Sequence, residues 1–174
     1  MINAKRWSNG LAVVLLCGVS SAAFAAIQGD KGSTSTGSAT VSANVPTKIQ
    51  ITNVQDFIFG EWSGEGGFSS TASNICVWST SHQYALTASG SLTDNAFGMT
   101  GVGGDIPFTV EWSGVTGTLS PGVATPILAA AKSAACNANG DPTASMTVTV
   151  TEAAMQEVTI GQYSGTVTLT VATE

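Results

Sequence analysis

The chain has 174 residues, of which 43% are hydrophobic and only 9% charged, and its formal net charge is −6. So acidic and lysine-poor a chain offers no cluster of Lys and Arg to displace counterions from nucleic acid, and no polybasic anchor for anionic lipid. The length suits one domain with a substantial core.

Residues 1–25 read as a cleavable signal peptide. Lys5 and Arg6 form a basic n-region, Leu11–Val19 an apolar h-region, and Ala23-Phe24-Ala25 a small-residue cleavage site. The apolar run is too short to act as a membrane span. Cys17 lies inside it and is expected to leave with the signal. No later segment is long and apolar enough to cross a membrane as a helix. The expected destination is the periplasm, then the cell surface or an extracellular fibre. The mature chain keeps Lys31, Lys48 and Lys132 against all 11 acidic residues.

Residues 26–45 read as an N-terminal arm ahead of a domain over 46–174. Ala26–Ser38 is rich in Gly, Ser and Thr and suits a flexible tether. Ala39, Val41, Ala43 and Val45 then alternate with Thr40, Ser42 and Asn44, the period of a strand. The same parity continues past Pro46 to Ile49 and Ile51. Short strands are predicted over 74–79, 83–89, 106–112, 146–150 and 158–160, separated by turn residues. Val123–Ala135 is alanine-rich enough for a turn or two of helix. Tyr163–Thr173 is the most regular strand of all, with Tyr163, Val167, Leu169 and Val171 on one parity and threonines on the other. The sum is an all-β antiparallel sandwich.

Cys76 and Cys136 remain after cleavage, in an oxidising compartment, so a disulfide is expected between them. Nothing in the pattern points to catalysis, a cofactor or a metal. His82, the one histidine, lies in a predicted turn. There is no G-x-S-x-G elbow, H-E-x-x-H pair or Walker loop, and no run of carboxylates at calcium-loop spacing. Glu-Trp-Ser-Gly occurs twice, at 61–64 and 111–114. It reads either as strand ends entering glycine turns or as sugar-stacking platforms.

The arm suggests assembly. A sandwich with an unpaired strand edge accepts an extended segment from another chain by strand addition, and alternate apolar side chains fill its core. Residues 39–45 have the form of such a donor, and Tyr163–Thr173 that of the strand beside the groove. The same residues 39–45 could also close the sandwich within one chain, and the pattern does not separate the two.

Four stretches resemble the spore coat protein U domain family, which includes major subunits of archaic chaperone–usher pili. The closing "GQYSGTVTLTVA" is similar to that family's G-x-Y-x-x-x-V-x-V-x-V ending, and "FIFGEW" to its early F-G motif. "NICVWSTSHQYALTASG" resembles its cysteine strand, turn and following Y-x-L-x-x-x-G strand, and "IPFTVEWS" its central strand. The resemblance implies an incomplete immunoglobulin-like sandwich completed by a donor strand. It also implies a periplasmic chaperone and outer-membrane usher as partners, besides other copies of the chain. Ala39, Val41, Ala43 and Val45 would be the donor plugs, and Tyr163, Val167, Leu169 and Val171 would line the acceptor groove. Family members usually pair an early cysteine with one on the second strand, whereas this chain has none between Cys17 and Cys76. A reading of a different class is a secreted monomeric binding module using Trp62, Trp78 or Trp112 as carbohydrate-stacking faces. A third is an envelope or coat component that forms no fibre.

Overall fold

The computed structural model describes residues 26–174; the expected signal peptide lies outside them. The chain divides into two units between Asn44 and Val45. In the first, the described residues make one isolated antiparallel bridge, in which Ile27 and Ser38 exchange backbone hydrogen bonds of 2.9 Å each. Ala39–Val45, expected as a strand, lies in no ladder. Alternation prepares two faces, but a strand also needs a partner for its backbone groups.

The second unit is built of antiparallel strands. In chain order they are β1 (Ile49–Thr52), β2 (Phe68–Ser79), β3 (Gln83–Gly90), β4 (Gly98–Gly101), β5 (Gly104–Pro107) and β6 (Thr109–Trp112). Then follow β7 (Leu128–Ala129), β8 (Ala144–Val150), the single helical turn α1 (Glu152–Gln156), β9 (Tyr163–Ser164) and β10 (Val167–Ala172). The sheets run β1-β2-β8-β6, β10-β3-β7 and β5-β4-β9. This is the all-β sandwich expected.

Period two places the core. Along β8, Ala144, Met146, Val148 and Val150 are buried, while Ser145, Thr147 and Thr149 face outward. The outward hydroxyls meet those of β2, Thr147 with Thr71 at 2.8 Å and Thr149 with Ser69 at 3.1 Å. A bulge between Ala72 and Ile75, with Asn74 at φ 62°, switches the inward parity of β2. Ile75 and Val77 thereby reach the core beside Leu86, Val110 and Trp112.

Four expected elements differ. The strand expected over 106–112 is two strands in different sheets, because Pro107 brings no N–H and Phe108 donates to Phe97 instead. The terminal strand is likewise divided into β9 and β10. At Gly165 the backbone runs against the carbonyl of Gly98, where a Cβ would have no room. Val158–Ile160 is loop. Val123–Ala135 holds no helix: Ala130 donates to the His82 carbonyl and Ala131 to that of Val77. Both alanines are buried, so small size for close packing against β2 and β3 overrides helix propensity there.

Cys76 on β2 is bonded to Cys136, with Cα atoms 5.8 Å apart. The stapled loop is organised by Asp141, whose carboxylate accepts the backbone N–H groups of Lys132, Ser133 and Ala138 at 2.9–3.3 Å. Those donors hold its carboxyl below the ordinary carboxylate value, the Lys132 N–H contributing most.

Candidate functional site

Among the described residues, β1 ends one sheet and β10 another, each without a strand on its outer side; β6, β7, β5 and β9 are the other sheet ends. Ile49 pairs with Ser79 and Ala172 with Ala85, on either side of the β2–β3 turn. Ile49 and Ala172 therefore sit at one end of the unit, while Thr52 and Val167 point to the other, so β1 and β10 run antiparallel. They approach within 8 Å between Cα atoms yet share no ladder.

The inward side chains of both edges are only half covered. Val167, Leu169 and Val171 alternate strictly with exposed Thr168, Thr170 and Ala172, and they pack on the core without being sealed by it. Ile49 and Ile51 are in the same condition on β1. Interior strands of this unit bury the equivalent positions, as β8 does. An edge strand with a neighbour on one side only leaves its inward side chains less covered than an interior strand does and presents unpaired backbone groups.

Beyond Thr52 and before Val167 the two edges part around a cleft of about 930 Å³. One wall is residues 57–62 and the other residues 158–164, with Phe68, Met99, Ile106 and Met155 between them. Phe59 stacks on Phe68 at 5.2 Å between ring centroids. Tyr163 donates its hydroxyl to the Thr159 carbonyl at 2.6 Å and so holds the second wall. At the lip, Ile58 and Ile160 are 89% and 100% exposed. Glu61 is the one charged residue in the lining.

The expected site residues are distributed as follows. Val167, Leu169 and Val171 share the inward face of β10, whereas Tyr163 belongs to β9 in another sheet and lines the cleft; all four pack against the core. Ala39, Val41, Ala43 and Val45 are exposed, Val41 to 95%. Trp112 is no stacking face: it is buried, and its indole N–H donates to the Tyr84 hydroxyl at 3.0 Å. Trp78 and Trp62 are half-buried, with their indole N–H groups given to the carbonyls of Lys132 and Gly66. The two Glu-Trp-Ser-Gly copies accordingly differ: the second ends β6, whereas the first lies in irregular chain at the cleft. Sequence reasoning missed Phe57, Phe59 and Met155 as cleft residues. The apolar alternation of Phe57 and Phe59 was the available signal.

What the arrangement can do follows from chemistry. A free strand edge presents backbone donors and acceptors in register, and an apolar row beside it takes alternate side chains. No group of three or more His, Cys, Asp or Glu among the described residues is placed to hold a metal ion. No protein-family model, curated protein or solved structure gives a significant match to the chain.

Proposed function

We propose that the protein is a structural subunit of an extracellular fibre, assembled when the arm of one copy adds as a strand to β10 of the next. The observation that carries this reading is the row Val167, Leu169 and Val171, apolar and half-covered on a free edge. The donor is residues 39–45, whose apolar parity is exposed in the chain itself. Buried in a neighbour, Val41 and Val45 would each contribute roughly 1.5–3 kcal/mol, and the two alanines less. Backbone pairing along the strand adds about 0.5–1.5 kcal/mol net per hydrogen bond. A strand held between two others needs them about 9.5 Å apart, twice the interstrand spacing. β1 and β10 come closer than that, so insertion moves β1 aside or draws its register toward the cleft. The likeness to the spore coat protein U domain family supports the same reading, with a chaperone guarding the edge and an usher as the assembly site.

The test is an unheated SDS gel of material sheared from the native cell surface, probed for this chain. The expected result is a ladder of multiples that collapses on boiling and is absent when residues 26–45, following the expected cleavage site, are deleted. A ladder persisting in the deletion strain overturns the donor assignment, and a single monomer band from the full chain overturns the fibre.

A further inference from the structure

Charge is segregated along the sandwich unit. Its lysines are Lys48 and Lys132. Lys48 is tied by its backbone to Thr80 in the β2–β3 turn, and the Lys132 carbonyl accepts from Trp78 near the end of β2. Both therefore lie at the end that holds Ile49 and Ala172. The company there is Asp141, spent on backbone N–H groups, and Glu174. The opposite end is the cleft end, where β2 begins and β3 finishes. It carries Asp56, Glu61, Glu65, Asp94, Asp105, Glu152 and Glu157 and has no lysine or arginine, while Glu111 stands mid-sheet opposite Thr147. Its rim is also apolar, with Ile58, Val102 and Ile160 each 89% exposed or more.

We propose that the acidic cleft end is an interface that receives the lysine end of a second copy of this chain, with Lys48 of the incoming copy set against Glu61. This rests on the strand-addition reading, and the direction of the added strand decides it. A donor parallel to β10 would bring Val45, and the body that begins just after it, to the Ala172 end. Lysine end would then face lysine end, where the acceptor's own residue 45 must also leave. A donor antiparallel to β10 brings Val45 toward Tyr163 and delivers Lys48, three residues on, to the cleft. Only that direction sets the two lysines, which balance Asp141 and Glu174 at their own end, against the acidic end, and leaves a free edge and a free arm at opposite ends of each pair. Ile58, Val102 and Ile160 are then covered by the incoming body. The charges contribute mainly to approach and orientation, because exposed pairs add little affinity singly while complementary faces steer encounter.

Sheared surface material treated with a carbodiimide, which joins a lysine amine to a carboxylate at ion-pair distance with loss of water, tests the contact. Peptide mass spectrometry is expected to find Lys48 joined to Glu61, a link that one chain cannot make because the two lie at opposite ends of its sandwich. Lys48→Glu is expected to lower surface polymer on the order of threefold to tenfold. Glu61→Lys added to it is expected to restore the wild-type amount, with the melting temperature of each monomer unchanged because both residues are exposed. Wild-type polymer with neither cross-link nor charge-swap effect overturns the contact and leaves strand addition standing. A wild-type chain that never polymerises overturns both.

Discussion

Replacing Tyr84 by Phe removes one oxygen from the centre of the sandwich. That oxygen accepts the Trp112 indole N–H at 3.0 Å, and the two residues are 3% and 2% exposed. The variant leaves a buried donor without a partner, which costs about 1–3 kcal/mol. A cleft of about 250 Å³ borders Tyr84, and a water entering from it would hold the loss near the lower figure. At about 4 °C per kcal/mol for a domain of this size, the melting temperature falls by roughly 4–12 °C. Alkali supplies an independent readout. Burial raises the Tyr84 hydroxyl above its ordinary 10.0, and the Trp112 hydrogen bond offsets this only in part. The folded state thus keeps a proton that the unfolded state releases. The stability tied to this group is full below about pH 10 and is lost as pH rises from there through the raised folded value. Urea titrations of the disulfide-intact chain at neutral pH and across the alkaline range measure both effects. The expected result is a lower midpoint at neutral pH with a flatter alkaline limb. A variant as stable as wild type, with the same alkaline decline, refutes the burial and pairing of Tyr84.

Three further outcomes are expected. Leu169→Asn is expected to cost the monomer only about 1 kcal/mol, since the side chain is half-covered, while abolishing the surface ladder; a normal ladder would remove β10 as the acceptor. Replacing Cys76 and Cys136 together by Ala is expected to cost about 2–4 kcal/mol, the chain-entropy ceiling for a loop this long being about 4 kcal/mol; an unchanged urea midpoint would show that the staple contributes nothing. Asp141 is expected to titrate below its ordinary 3.8, so its support of the loop is present above that value and is lost as pH falls through the lowered folded one; a carboxyl NMR titration centred at 3.8 would contradict the three-donor arrangement.

Much of the fold was legible before any coordinates. β8 and β10 are written as Thr alternating with Val, Leu or Met, the period of a half-buried strand, and both find partners, whereas the same period over residues 39–45 makes no strand. The pairing of Cys76 with Cys136 followed from their number once Cys17 was assigned to the expected signal peptide. The misreadings have local causes. Val123–Ala135 was read by propensity, but its alanines are small because β2 and β3 lie against them, a fact of packing with no period. Trp112 was read as a possible surface, but its partner Tyr84 is 28 residues away, and no local pattern reveals that one indole reaches one phenol.

The candidate site divides in the same way. Alternation along one segment decides which side chains share a face, so Val167, Leu169 and Val171 could be grouped from the sequence alone, whereas Tyr163, read with them, lies across the Gly165 break in another sheet. Whether that face is covered depends on which strands stand beside it, and strand order is a property of the whole chain. Only the tertiary structure put β10 at an edge, opened the walls at 57–62 and 158–164, and carried the sandwich unit's lysines to one end and seven carboxylates to the other. The physical reason is range: side-chain direction is settled by neighbours two residues away, whereas exposure and charge segregation are settled by contacts between residues far apart in sequence.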